Sequence, residues 1–180
     1  MKPDSYLAAI LQRDPAVRTP REARRCYPGY WAIRAYLRAN ALWKKGRYYA
    51  ARRLMAKSYT KTGIDIHPAA TIGEGLFIDH GSGVVIGETT IIGRDVTIYQ
   101  GVTLGGTGKD TGKRHPTICD GVIVGAGAKV LGPITIGQGA KIGASSVVLR
   151  DVPPHTTVVG NPGHIVRHHN VKATTGEVTQ

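Results

Sequence analysis

Two short stretches of this chain carry side chains able to exchange a proton near neutral pH. The first, IDHGSGVVIGETTIIG (residues 78–93), sets a carboxylate beside an imidazole, Asp79 and His80. The second, GGTGKDTGKRHPT (residues 105–117), sets a guanidinium beside an imidazole, Arg114 and His115. An unperturbed imidazole titrates at about pH 6.5, so it can be neutral and basic where Lys and Arg stay charged. Metal binding is the competing use of such residues, and the spacing argues against it. Cys26 and Cys119 belong to no CxxC or Cys/His ligand pattern, which points to neither a disulfide framework nor a zinc site and fits a reducing cytoplasm. His164, His168 and His169 fall in a polar terminus where no metal site is expected. His67, between an inward Ile66 and Pro68, is read as a structural corner residue.

A repeating scaffold must hold these side chains. From Ile64 onward aliphatic residues recur every six positions in three blocks: Ile66, Ile72, Ile78; then Ile86, Ile92, Ile98, Leu104; then Ile118, Val124, Val130, Ile136, Ile142, Val148. Gly follows directly at 73, 87, 93, 105, 125, 137 and 143. Such hexapeptides in one register predict a parallel β-helix, each making one short strand and one corner, with three sides to a coil of about 18 residues. The aliphatic side chain points inward, and the small residue after it lets the chain turn. The period fails twice. Ile78 to Ile86 is eight residues, so two extra residues enter after DHGSG, and Leu104 to Ile118 is fourteen, so eight enter within GGTGKDTGKRHPT. Each fault lies beside one of the two histidines. Repeats keep their period for stability, so the faults are where function is expected.

The first third follows a different grammar. Thr19-Pro20-Arg21-Glu22 has the spacing of a capping box with Pro at the first helical position. Pro28-Gly29 is read as a break before a helix from about Tyr30 to Lys45. Gly46 then separates it from a second helix over roughly Arg47 to Lys61, and YLAAILQRDP predicts a short helix ended by Pro15. Residues 1–63 carry 15 Lys and Arg against 3 acids, residues 64–180 carry 9 against 9, so the net charge of +12 arises in the helical part (15 − 3 = 12). The cations alternate with Tyr, Leu, Trp and Ala at helical spacing, as the solvated face of amphipathic helices does. Nucleic-acid binding is not expected, although the charge would attract small anions. No stretch reaches the length of a membrane span and the N-terminus has too short an apolar run for a signal peptide, so a soluble, cytoplasmic protein is expected. The domain reading is a basic α-helical region over 1–63, a β-helix catalytic domain over 64–167 with a loop at 107–117, and a polar, flexible tail over 168–180.

DIHPAATIGEGLFIDHGSGVVIGET, GVTLGGTGKDTGKRHPTI, VIVGAGAKVLGPITIGQGAKIGASSVVL and VPPHTTVVGNP, with RDPAV upstream, resemble serine O-acetyltransferase of the hexapeptide-repeat acyltransferase superfamily. The resemblance runs from about Arg13 to Val166. It implies a mainly β fold, a left-handed parallel β-helix preceded by a small α-helical region, and acetyl transfer from acetyl-CoA to the hydroxyl of L-serine, the first step of cysteine biosynthesis. Such a hydroxyl needs a general base. The family motif gives that role to His80, oriented by the Asp of DIHP, Asp65. The two lie 15 residues apart, which a coil of about 18 places near one corner on neighbouring levels. The same resemblance assigns the amino-acid substrate to Asp14, Asp79, Arg114 and His115. It runs the pantetheine arm past Gly106, Ala126 and Ala144, with Lys141 available to the anionic end. It also implies a homotrimer with its active site between chains, the loop at 107–117 reaching a neighbour, and inhibition by L-cysteine at the serine pocket.

Longer family members pair trimers into hexamers through an extensive N-terminal helical domain, and only 64 residues precede Asp65 here, so a hexamer is not expected. Many end in an Ile that docks into O-acetylserine sulfhydrylase, whereas this chain ends TTGEVTQ, so that complex is not expected either. Three rival readings share the scaffold. A β-helix carbonic anhydrase needs three His ligands on zinc, and only His80 and His115 are suitably placed. A sugar or antibiotic O-acetyltransferase would share the base and the CoA groove but not the paired acidic and RHP contacts. A non-catalytic scaffold would not need Asp65 and His80.

Overall fold

The computed structural model describes residues 4–108 and 111–169. Each of the thirteen hexapeptides becomes one short strand, and the periodic aliphatic residue is buried at every position except Ile72, which is partly buried. The strands stack into three faces. The first holds β1 (Asp65–Ile66), β4 (Val85–Ile86), β7 (Thr103–Gly105), β10 (Lys129–Leu131) and β13 (Val147–Val148). The second holds β2 (Thr71–Ile72), β5 (Ile91–Ile92), β8 (Thr117–Ile118) and β11 (Thr135–Ile136). The third holds β3 (Phe77–Ile78), β6 (Thr97–Ile98), β9 (Ile123–Val124) and β12 (Lys141–Ile142), extended by β14 (Thr156–Val159) and β15 (His164–His168). All pairings between coils are parallel, and only β15 runs antiparallel, against β14. The result is a left-handed parallel β-helix. Ile66, Ile86, Leu104 and Val130 fill the interior behind the first face and are buried to within 1% of full enclosure. Removing that surface from water at about 25 cal/mol per Å² is what makes a strand of two residues stable.

The tail departs from its sequence reading at its start. His164 and His168 belong to β15, and His169 Nε2 bonds Thr157 Oγ1 at 2.8 Å. The stretch 164–169 is therefore part of the third face, because β14 offers an unpaired edge that a following strand can satisfy. The rest of the expected tail lies outside the described residues.

Four helices precede the prism: α1 (Ser5–Arg13), α2 (Pro20–Cys26), α3 (Pro28–Lys44) and α4 (Tyr48–Thr62). Thr19 caps α2 by accepting from the Glu22 N–H at 3.1 Å, and the Glu22 carboxylate reaches back to the Arg18 N–H at 2.9 Å, one residue earlier than a standard capping box. The expected break at Pro28-Gly29 is instead the first turn of α3. Pro at that position loses no hydrogen bond, and the break falls at Tyr27. Gly29 serves contact rather than flexibility: a Cβ there would stand 2.2 Å from Ile78 O. Helix α3 thus lies directly against the strand that leads into Asp79 and His80. Tyr36 and Asn40 of α3 add hydrogen bonds to Ala70 O and Pro68 O at 2.6 and 2.8 Å. At the far end of α1, Arg13 donates to Gly75 O, Val96 O and Thr97 Oγ1 and pairs with Asp95 at 2.7 Å. That anchor ties the RDP segment to the β-helix.

Candidate active site

The edge between the third and first faces carries Asp79 and His80. The Asp79 N–H donates to Ile98 O at 2.9 Å, and the Gly101 N–H donates to Ser82 O at 2.8 Å. Asp79 is therefore level with Tyr99 and Ser82 with Gln100, leaving His80 and Gly81 without counterparts in the next coil. The two inserted residues are His80 and Gly81 themselves, inside DHGSG rather than after it. Aliphatic spacing counts an insertion but does not locate it. His80 takes φ 55°, and the Gly81 N–H reaches back to Asp79 O at 2.6 Å, closing a γ-turn centred on the imidazole. A left-handed conformation costs a side-chain-bearing residue on the order of 1 kcal/mol, and such strain concentrates at functional positions. The imidazole is exposed, and among the described residues no side-chain hydrogen bond involves it.

Two further parts of this edge come from elsewhere. Asp14 accepts from the Tyr27 hydroxyl at 2.5 Å and from the Ala16 N–H at 2.7 Å, so it holds its own Asp-Pro turn and the entry to α3 together. Burial pushes the Tyr27 phenol pKa up, and hydrogen bonding to Asp14 and the charges of Asp14 and Asp79 push it the same way. Along the edge, the Gly127 N–H donates to Gln100 O and the Ser145 N–H to Ala126 O, both at 2.8 Å. Ser82, Gln100, Ala126 and Ala144 thus form one column beside the His80 bulge. Lys141 is exposed on β12, three residues before Ala144.

The other end of the first face carries the second group. The eight-residue insertion leaves after β7, at Gly106, and its return leg folds over the corner of the coil below. Arg114 pairs with Glu88 at 2.5 Å, which holds the Glu88 carboxyl below the usual range. His115 Nδ1 lies 3.2 Å from the Thr89 N–H and 2.9 Å from Thr89 Oγ1. Its ring rests on Gly87, where a Cβ would come within 2.0 Å of it, so this corner admits no side chain. Lys113 Nζ donates to Thr89 O at 2.9 Å and also to His115 O. Burial lowers the His115 pKa and the Arg114 charge lowers it further, against the opposing charge of Glu88. Arg52, Asp65, His67, Glu88, Arg114 and His115 surround an open cleft of about 290 Å³. His67 caps its corner by accepting from the Ala69 N–H at 3.1 Å, as expected of a corner residue, and also faces this cleft.

Asp65 therefore belongs to the cleft of Arg114 and His115, and the expected Asp65–His80 hydrogen bond is not made within one chain. The reason lies in the coil length. Asp65 pairs in register with Val85, a coil of 20 residues (85 − 65) because of the inserted pair, so Asp65 stacks five positions beyond His80. The structure brings together Asp79 with His80, and Asp65 with Arg114 and His115, on the two edges of one face. Sequence reading did not single out Glu88, Thr89, Lys113, Arg52 or Tyr27. Their roles come from a loop folding back and from helix docking, neither of which leaves a spacing pattern.

A prism of hexapeptide coils whose two faults each carry an imidazole defines a hexapeptide-repeat transferase. Residues 115–150 match the family model described as bacterial transferase hexapeptide, six repeats. The chain is 56% identical over 163 residues to the serine acetyltransferase of Bacillus pumilus, covering 91% of this chain and 75% of that one. It belongs to the serine acetyltransferase family. Among solved structures, the soybean enzyme complexed with serine superposes with a TM-score of 0.88 at 51% identity, covering 90% of this chain and 67% of that one. The Brucella abortus enzyme in complex with coenzyme A gives 0.89 at 46% identity, covering 92% and 66%. A serine acetyltransferase complexed with cysteine gives 0.89 at 47%, covering 91% and 68%. The chain thus spans about three quarters of the first relative and about two thirds of the solved chains.

Proposed function

We propose that this chain transfers the acetyl group of acetyl-CoA to the hydroxyl of L-serine, giving O-acetyl-L-serine and CoA, the first step of cysteine biosynthesis. The observation that carries the reading is the inserted His80: a strained, exposed imidazole raised from an otherwise regular edge, on a chain of this family. As general base, His80 takes the serine hydroxyl proton while the oxygen attacks the thioester carbon; the C–S bond then breaks and the imidazolium returns that proton to the departing sulfur, so that CoA leaves as the thiol. Asp79 and Asp14 receive the ammonium group, and Arg114 takes the carboxylate with the fork edge that Glu88 leaves open. His115 contributes a second polar contact. The column of Ala126 and Ala144 offers a flat edge with backbone groups for the pantetheine arm, Lys141 faces the anionic end, and Gly106 offers an N–H to the thioester oxygen.

The division of these residues between two edges supports a homotrimer in which His80 and Asp79 of one copy meet Asp65, Arg114 and His115 of the next. A partner carboxylate would then orient His80, as the unsatisfied imidazole requires. Mixing an inactive His80→Ala chain with an inactive Arg114→Ala chain should restore part of the activity in mixed trimers; no recovery would place each site within one chain. L-cysteine, which shares the ammonium and carboxylate of serine, is expected to compete at the same pocket. A cytoplasmic setting fits a substrate pair of acetyl-CoA and a free amino acid, and no helix among the described residues is long and apolar enough to cross a membrane.

The deciding experiment follows thiol release from acetyl-CoA with serine, homoserine and simple sugars offered in parallel. Turnover with serine alone or best is expected. Turnover with a sugar and none with serine would replace the acceptor while leaving the fold untouched.

A further inference from the structure

Five hydrogen bonds converge on Thr89, a residue that touches neither of the inserted segments in sequence. Its Oγ1 accepts from the backbone N–H groups of Arg114 and His115, both at 3.1 Å, and lies 2.9 Å from His115 Nδ1. Its own backbone N–H points at the same nitrogen from 3.2 Å, and its carbonyl accepts from Lys113 Nζ at 2.9 Å. A hydroxyl has one donor and two acceptor sites. Both acceptor sites are taken by N–H groups that can only donate, so the hydroxyl proton is left to point at Nδ1. The Thr89 backbone N–H can likewise only donate. Both groups facing Nδ1 are donors, and the neutral ring must therefore carry its proton on Nε2.

We propose that Thr89 is the positioning residue that fixes His115 in the Nε2–H tautomer and sets the return leg of the loop. Nε2 then sits over Gly87 in the cleft, as a hydrogen-bond donor to the oxygen of a bound substrate rather than an acceptor. One hydroxyl thereby links two requirements: the register of Arg114 and His115 on the corner below them, and the proton position on the ring. The functional half of this inference rests on the acyl-transfer reading given above, and the tautomer half does not.

The test uses the full chain with nitrogen-15-labelled histidine, His115 being assigned by its loss in His115→Asn. In the wild type the ring nitrogens are expected to report Nε2 protonated and Nδ1 bare at pH 8. Thr89→Val, which keeps the shape and removes the hydroxyl, should shift the ring toward a mixture of tautomers and lower kcat/KM for serine about tenfold. Thr89→Ser should restore both within about twofold. A wild-type ring protonated at Nδ1 overturns the proposal outright, whether or not the valine variant folds. Unchanged tautomer and unchanged kinetics in a folded Thr89→Val overturn it too. A shifted tautomer with wild-type kinetics overturns the positioning role alone. If serine proves not to be the acceptor, the nitrogen spectra still decide the tautomer.

Discussion

His80 is one of the two inserted residues, with a left-handed backbone, exposed and without a side-chain hydrogen bond among the described residues, whereas His115 is half-buried with Nδ1 faced by two groups of Thr89. The two imidazoles sit on opposite edges of the same face and arrive by the same device, an interruption of the hexapeptide period. The short interruption of two residues strains the chain and leaves the ring free. The long one of eight has enough length to return and bond the corner beneath it. An imidazole that must accept and release a proton needs an unfilled nitrogen, while one that only donates to a substrate gains from being locked in place.

That contrast can be broken at several points. His80→Ala should lower kcat on the order of a hundredfold or more without changing the assembly size, measured by thiol release and light scattering; retained activity would move the base elsewhere. Next in size, Gly87→Ala should drive the His115 ring off its corner, since the new Cβ would lie 2.0 Å from it. A displacement of about 1 Å can cost roughly a hundredfold in rate, and kcat/KM for serine is expected to fall by at least tenfold while the melting temperature shifts only a few degrees. Arg114→Lys keeps the charge but loses the fork that bonds Glu88 at 2.5 Å, so KM for serine should rise about tenfold with kcat less affected. An unchanged KM would assign the carboxylate to another cation, and Arg52 borders the same cleft.

The smallest effect concerns acid. Burial lowers the pKa of His115, helped by Arg114, and burial lowers that of His67, helped by Arg52. The unfolded chain, with ordinary imidazoles near pH 6.5, then binds more protons than the folded one below that point. Stability from these two groups is full above about pH 6.5 and is lost as pH falls toward their depressed values. Melting curves between pH 8 and pH 5.5 should show this decline, and His115→Asn should flatten it.

The thirteen strands were legible because their code is local: one inward aliphatic residue and one small residue in every six, written consecutively in the chain. The helices of the first third were legible for the same reason, through caps and Gly46, though Pro28-Gly29 reads as a break where the structure starts α3. Both faults and both histidines could be found by counting. Which residues were extra could not, since only the pairing of Asp79 with Tyr99 and Ser82 with Gln100 identifies His80 and Gly81 as the surplus.

What the sequence determined by itself is the prism, its period, and the two places where that period fails, because short-range periodicity dictates which side chains face inward. Tertiary structure alone decided that, within one chain, Asp65 keeps company with Arg114 and His115 and not with His80, and that Thr89 holds the returning loop. A two-residue insertion lengthens one coil to 20 residues and shifts what stacks on what, and an eight-residue insertion closes on a corner a full coil away. Contacts made across coils depend on the accumulated length of chain between them, and no local pattern records that sum.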